Sequence, residues 1–94
     1  MNTGKFRIEL QKQAYRDLEA LGKEDRLSIL EEIQKYLSTT PFLPVKTRIK
    51  KMSGFNPTLY RLRIGDFRAY YRIHPQTVII LAILHKKETK RWLR

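Results

Sequence analysis

Four arginines, Arg61, Arg63, Arg68 and Arg72, stand within the stretch "LYRLRIGDFRAYYRI" (59–73), and His85, Lys86 and Lys87 follow in "HKKE". Guanidinium is a planar, permanently charged fork that matches phosphate oxygens, and imidazole in its free form exchanges protons near neutrality. Such a set can hold a phosphate, stabilise the negative charge that builds as its ester breaks, and move a proton. Asp66 is the only acid in the stretch.

Apolar and basic residues alternate on both sides of Gly65-Asp66. That dipeptide suits a two-residue type I′ or II′ turn, with glycine supplying the positive φ. The register that follows sets Ile64 against Phe67, Arg63 against Arg68, Leu62 against Ala69, Arg61 against Tyr70 and Tyr60 against Tyr71. One face is then apolar, and the other carries Arg61, Arg63, Arg68, Tyr70 and Arg72. Like charges directly opposed across strands cost a few tenths to about 1 kcal/mol, so stability alone does not explain Arg63 across from Arg68. The pairing points to an external anion, with Tyr70 offering a ring for a base. The plainer reading is a solvated strand face whose charges deter edge-to-edge pairing.

The charge distribution supports the anion. Residues 1–44 carry seven Lys/Arg and seven Asp/Glu, whereas residues 45–94 carry thirteen Lys/Arg against Asp66 and Glu88, which places the whole net charge of +11 in one half. A positive field of that kind attracts polyanions, nucleic acid above all. Lys46, Arg48, Lys50 and Lys51 crowd the segment "VKTRIKKMSGFNP" (45–57), and Lys86, Lys90 and Trp92 follow the last strand; all are candidate RNA contacts. With no cysteine and two histidines, neither a disulfide framework nor a metal site is expected. The apolar run 78–84 is too short for a membrane span, and the N-terminus has no long apolar segment, so a cytoplasmic protein without membrane attachment is expected.

These side chains must be placed by one small domain, residues 1–94. "KFRIEL" (5–10) has the period of two expected of a strand. From Gln11, Ala14, Leu18 and Leu21 fall on a helical face that stops at Gly22, and residues 24–38 put Leu27, Leu30, Ile33 and Leu37 on one stripe. "TTPFLP" leads into a basic loop with a short edge strand, followed by strands near 59–64, 67–74 and 77–84. The expected fold class is α+β, an antiparallel sheet of about four strands with an N-terminal helical hairpin on one face. Around Pro75 the pairing Ile73–Val78, Tyr71–Ile80, Ala69–Ala82 and Arg68–Ile83 would put Ile79, Leu81, Ile83 and His85 on the basic face; a slip of one residue would send His85 to the opposite side, and the plainer reading of a lone histidine is a surface or capping residue. The last strand, apolar on both sides, asks for cover on its second face, by the C-terminal tail or by a partner.

In order and in local wording, "LYRLRIGDFRAYY" together with "HKKE" resembles the RelE/ParE superfamily of type II toxin-antitoxin toxins, across nearly the whole chain. The resemblance implies a RelE-like fold and a cognate antitoxin, acidic where it meets Arg61, Arg63 and Arg68. It implies one of two activities. The RelE-like branch cleaves messenger RNA on the ribosome without metal, the ribose 2′-hydroxyl attacking its own 3′ phosphate; the ParE-like branch inhibits DNA gyrase. By this resemblance Arg68 and Lys87 would be transition-state cations, Arg61 and Arg63 phosphate anchors, and His85 the proton-transfer group, since arginine hardly deprotonates. Many members also have a tyrosine shortly after the last strand that stacks on a substrate base; this tail has none, and Trp92, its only aromatic, either takes that task or anchors the tail on the sheet. The arginines and the His-Lys-Lys cluster favour the endoribonuclease reading; a non-catalytic basic module that binds RNA or its antitoxin is the third.

Overall fold

Gly65 adopts a positive φ of 58° and Asp66 does not, which is the II′ form of hairpin turn. The structure, a computed structural model, describes residues 5–42 and 48–93. The turn joins β3 (Leu59–Ile64) to β4 (Phe67–His74), and the pairing runs as anticipated from Ile64↔Phe67 through Arg63↔Arg68 to Tyr60↔Tyr71. Three further strands complete the sheet: β1 (Arg7–Leu10), β2 (Ile49–Met52) and β5 (Thr77–His85). The order is β1-β5-β4-β3-β2. Two corrections to the expected sheet follow: it has five strands, and β1 runs parallel to β5, so the sheet is mixed. The helical hairpin between β1 and β2 carries the chain from one edge of the sheet to the other.

That hairpin is α1 (Lys12–Glu19) and α2 (Lys23–Leu37), separated at Gly22. Glu24 and Asp25 at the front of α2 and Lys35 at its end suit the helix dipole. Ala14 and Leu18 of α1 and Ile29, Ile33 and Leu37 of α2 form the core with Leu62, Tyr71 and Ile80 of the sheet. Each fully buried aliphatic side chain contributes about 1.5–3 kcal/mol. The stripe read from the sequence is partly corrected: Ile33 and Leu37 are buried as expected, but Ile29 takes the third position, and Leu27 and Leu30 remain 55% and 39% exposed. Four-residue steps from Ile29 through Ile33 to Leu37 keep one face toward the sheet, and Leu27 and Leu30 sit on its flank.

Between β4 and β5 the register slips. Tyr71 pairs with Ile80 as expected, but Tyr70 pairs with Ala82, so Leu81 is an extra residue in a β-bulge. α1 lies along this part of β5. The Gln11 N–H donates to the Ile80 carbonyl at 2.9 Å, and the Ile83 N–H donates to Asp17 Oδ2 at 2.9 Å. The Ile83 N–H, beyond the end of β1, thus finds its partner on the helix.

The tail turns back onto the sheet face that lies away from the helical hairpin. A 3-10 turn (Lys86–Glu88) leads into α3 (Thr89–Leu93), whose Trp92 lies on Tyr70 with ring centroids 4.9 Å apart. Among the described residues no helix is long and apolar enough to cross a membrane.

Candidate active site on the arginine face

Pairing alone assembles the basic face. Lys50 of β2 stands opposite Arg61, Arg61 opposite Tyr70, and Arg63 opposite Arg68. Residues opposed in a ladder share a face, so Lys50, Arg61, Arg63, Arg68 and Arg72 all project away from the helical hairpin. Arg68 is the most constrained of them. Its Nη1 donates to the carbonyl oxygens of Gly65 at 2.9 Å and Phe67 at 3.0 Å, so the hairpin turn holds the guanidinium in place. Burial, followed by repulsion from Arg61 and Arg63, lowers its pKa from the ordinary arginine value. Such a site stabilises an arriving anion more than an isolated arginine would, because the anion relieves repulsion already present.

The Nε atoms of Arg61 and Arg72 are buried and have no hydrogen-bond partner among the described residues. Arg72 also lines a cleft of about 480 Å³ with Gln11, Gln13, Leu59, Leu81 and Trp92. Arg72 follows the alternation of the stretch and so shares the face of Arg61, Arg63 and Arg68, although the family resemblance gives it no role. Asp17, which holds the bulge, carries no local signal: its partner Ile83 lies 66 residues away.

The last strand brings "HKKE" to the turn end of the hairpin. The Lys86 N–H donates to the Asp66 carbonyl at 2.7 Å, and Lys86 Nζ is 3.4 Å from Asp66 Oδ1. Asp66 is therefore engaged by Lys86 beside the arginines. Lys87 is exposed.

His85 is a correction. The bulge moves it from the basic face to the helical side, where it pairs with Phe67 and meets that ring edge-on at 5.7 Å. Ala82 and Leu84 take the places opposite Tyr70 and Arg68 that Leu81 and Ile83 were expected to hold. Tyr70 is a second correction: it is 2% exposed and offers no free ring, because Trp92 covers it. Trp92 is itself half-buried in that contact, so the expected stacking aromatic anchors the tail.

The basic segment divides. Arg48 is drawn to α2, where Nη1 lies 3.3 Å from Glu32 and the guanidinium sits 5.1 Å from the centre of the Tyr36 ring. Lys51 pairs with Tyr60 and so belongs to the helical side, whereas Lys50 joins the arginines. Lys90 is exposed on α3, and Lys46 lies outside the described residues.

A family model described as "ParE toxin of type II toxin-antitoxin system, parDE" matches residues 8–89. The chain belongs to this toxin family. A relative from Methanocaldococcus jannaschii named "Putative toxin RelE1" is 32% identical over 85 residues, covering 89% of this chain and 92% of the relative. Among solved structures, the RelB-RelE antitoxin-toxin complex from Methanococcus jannaschii contains a chain with TM-score 0.66 and 26% identity, covering 92% of this toxin and 99% of that chain. The RelBE2 toxin-antitoxin complex of Mycobacterium tuberculosis gives a TM-score of 0.73 at 24% identity, covering 89% and 94%, a likeness of fold. The toxin is thus a member of the RelE/ParE superfamily, with the RelE-like α+β architecture.

Proposed function

We propose that the toxin is an endoribonuclease that cleaves messenger RNA on the ribosome and so stops translation. The observation that carries this reading is Arg63 across from Arg68, with Arg68 tied to the carbonyls of Gly65 and Phe67 and with Arg61 and Lys50 beside them. Attack of a ribose 2′-hydroxyl on its own 3′ phosphate concentrates negative charge on the phosphoryl oxygens. Cations fixed in advance around that position lower the barrier without reorganising during the reaction. In this reading Arg68 and Lys87 stabilise the transition state, Arg61 and Arg63 anchor the phosphate, and Lys50 with Lys86 and Lys90 guides the backbone. An arginine cluster supplies no base, so the 2′-hydroxyl proton passes to a group outside it. The reaction as proposed requires no metal, since the arginines supply the charge a metal would.

The names of the relatives support an antitoxin partner. We assign it acidic residues where it meets Arg61, Arg63 and Arg68, which would occupy the phosphate position and exclude RNA. Ribosome-bound substrate places the activity in the cytoplasm. The family description itself favours a second reading, inhibition of DNA gyrase. Induction in cells followed by mapping of RNA 5′ ends separates the two: codon-positioned cuts are expected, and their absence together with gyrase-linked DNA breaks would favour the second.

A further inference from the structure

His85 ends β5 with its side chain on the helical side of the sheet, edge-on to Phe67. Its Nδ1 accepts the Lys87 N–H at 3.2 Å, and its own N–H donates to Glu88 Oε1 at 3.2 Å. This is a reciprocal capping box in which an imidazole takes the place usually held by Ser, Thr, Asp or Asn. On its other side the same 3-10 turn is fastened to the β3–β4 turn through Lys86 and Asp66.

We infer that His85 is a positioning residue, which sets Lys87 at the end of the arginine face by capping the turn, and that it does not exchange a proton with the substrate. The inference rests on the nuclease reading above. Two features support it: the ring lies on the side of the sheet away from Arg61, Arg63 and Arg68, and the lone pair on Nδ1 is committed to the backbone. An Nδ1 that accepts from Lys87 belongs to a neutral ring protonated on Nε2. The ring is seated on Phe67, and the segment that it caps is held to the β3–β4 turn through Lys86 and Asp66.

The discriminating variant is His85→Asn, whose amide oxygen caps a turn but moves no proton. Ribosome-dependent cleavage and exchange of the Lys87 amide are followed for the wild type, His85→Asn and His85→Ala. The expected result is that Ala lowers cleavage about tenfold and unprotects the Lys87 amide, whereas Asn restores both to within about twofold. A folded His85→Asn toxin with a protected Lys87 amide and cleavage no better than His85→Ala would overturn the inference, because the imidazole would then be moving protons. Equal Lys87 exchange in all three proteins would overturn it as well. A wild type that cuts no RNA removes the nuclease reading, and the exchange data then decide the cap by themselves.

Discussion

Arg63 stands directly across the β3–β4 hairpin from Arg68, and the Arg68 guanidinium is bound there by the carbonyl oxygens of Gly65 and Phe67. The pair is electrostatically unfavourable and structurally fixed, a combination that suits binding of an anion between or above the two side chains. Arg68→Ala should therefore separate function from stability. Cleavage is expected to fall about 100- to 1000-fold, the cost of removing one preorganised charge-stabilising donor. Urea stability should stay within about 0.5 kcal/mol of wild type or rise slightly as repulsion is relieved. Undiminished cleavage by the folded variant would remove Arg68 from the site.

Tyr71 lies in the core and its hydroxyl donates to the Pro41 carbonyl at 2.7 Å. Tyr71→Phe leaves that carbonyl without its donor and should cost about 1–3 kcal/mol in urea unfolding, with cleavage unchanged below the melting range. Burial, with a smaller contribution from Tyr60, raises the Tyr71 pKa well above the ordinary tyrosine value of about 10. The folded state therefore favours the neutral phenol. Its contribution is fully present below the unfolded value and is lost as pH rises through the folded one. Stability of the wild type should fall on the alkaline side of about pH 10, and Tyr71→Phe should flatten that decline.

Trp92 is the single tryptophan and rests on Tyr70. Tyr70→Ala should shift its emission to longer wavelength as α3 loses its seat, while far-ultraviolet circular dichroism keeps the strand and helix signal. Loss of an aromatic pair of this kind costs about 0.5–1.5 kcal/mol beyond the area it buries. Emission identical to wild type would show that α3 docks without Tyr70.

Asp17 Oδ2 accepts the Ile83 N–H next to the bulge, and its Oδ1 accepts from Gln13. Asp17→Ala should cost about 1–3 kcal/mol, because it strands a part-buried backbone donor. Asp17→Asn retains an acceptor oxygen and should cost less. Hydrogen exchange at the Ile83 amide is the direct measurement: it should accelerate strongly in Ala and weakly in Asn.

Much of this architecture is legible in local chemistry. Gly65-Asp66 specifies a two-residue turn, and the period of two around it specifies which residues are opposed, so Arg63 and Arg68 can be paired from the letters alone. The change of period after Leu10 and the break at Gly22 mark the helical hairpin in the same way. Leu27 and Leu30 show where that reasoning stops. Several apolar stripes can be drawn along α2, and contact with the sheet selects Ile29, Ile33 and Leu37.

Composition and alternation thus settled the turn, the strands beside it and the concentration of positive charge, because each depends on residues within a few positions of one another. The side of the sheet taken by His85 depends on one extra residue, Leu81, in a strand paired on both sides. Apolar residues occupy both faces of that strand, so its pattern has no period from which a bulge could be read. Asp17 accepts the Ile83 N–H from a helix remote in sequence, and Trp92 covers Tyr70 from the end of the chain. Burial and hydrogen-bond satisfaction across those distances set the final arrangement: an arginine face without the histidine, and a histidine whose free nitrogen caps a turn.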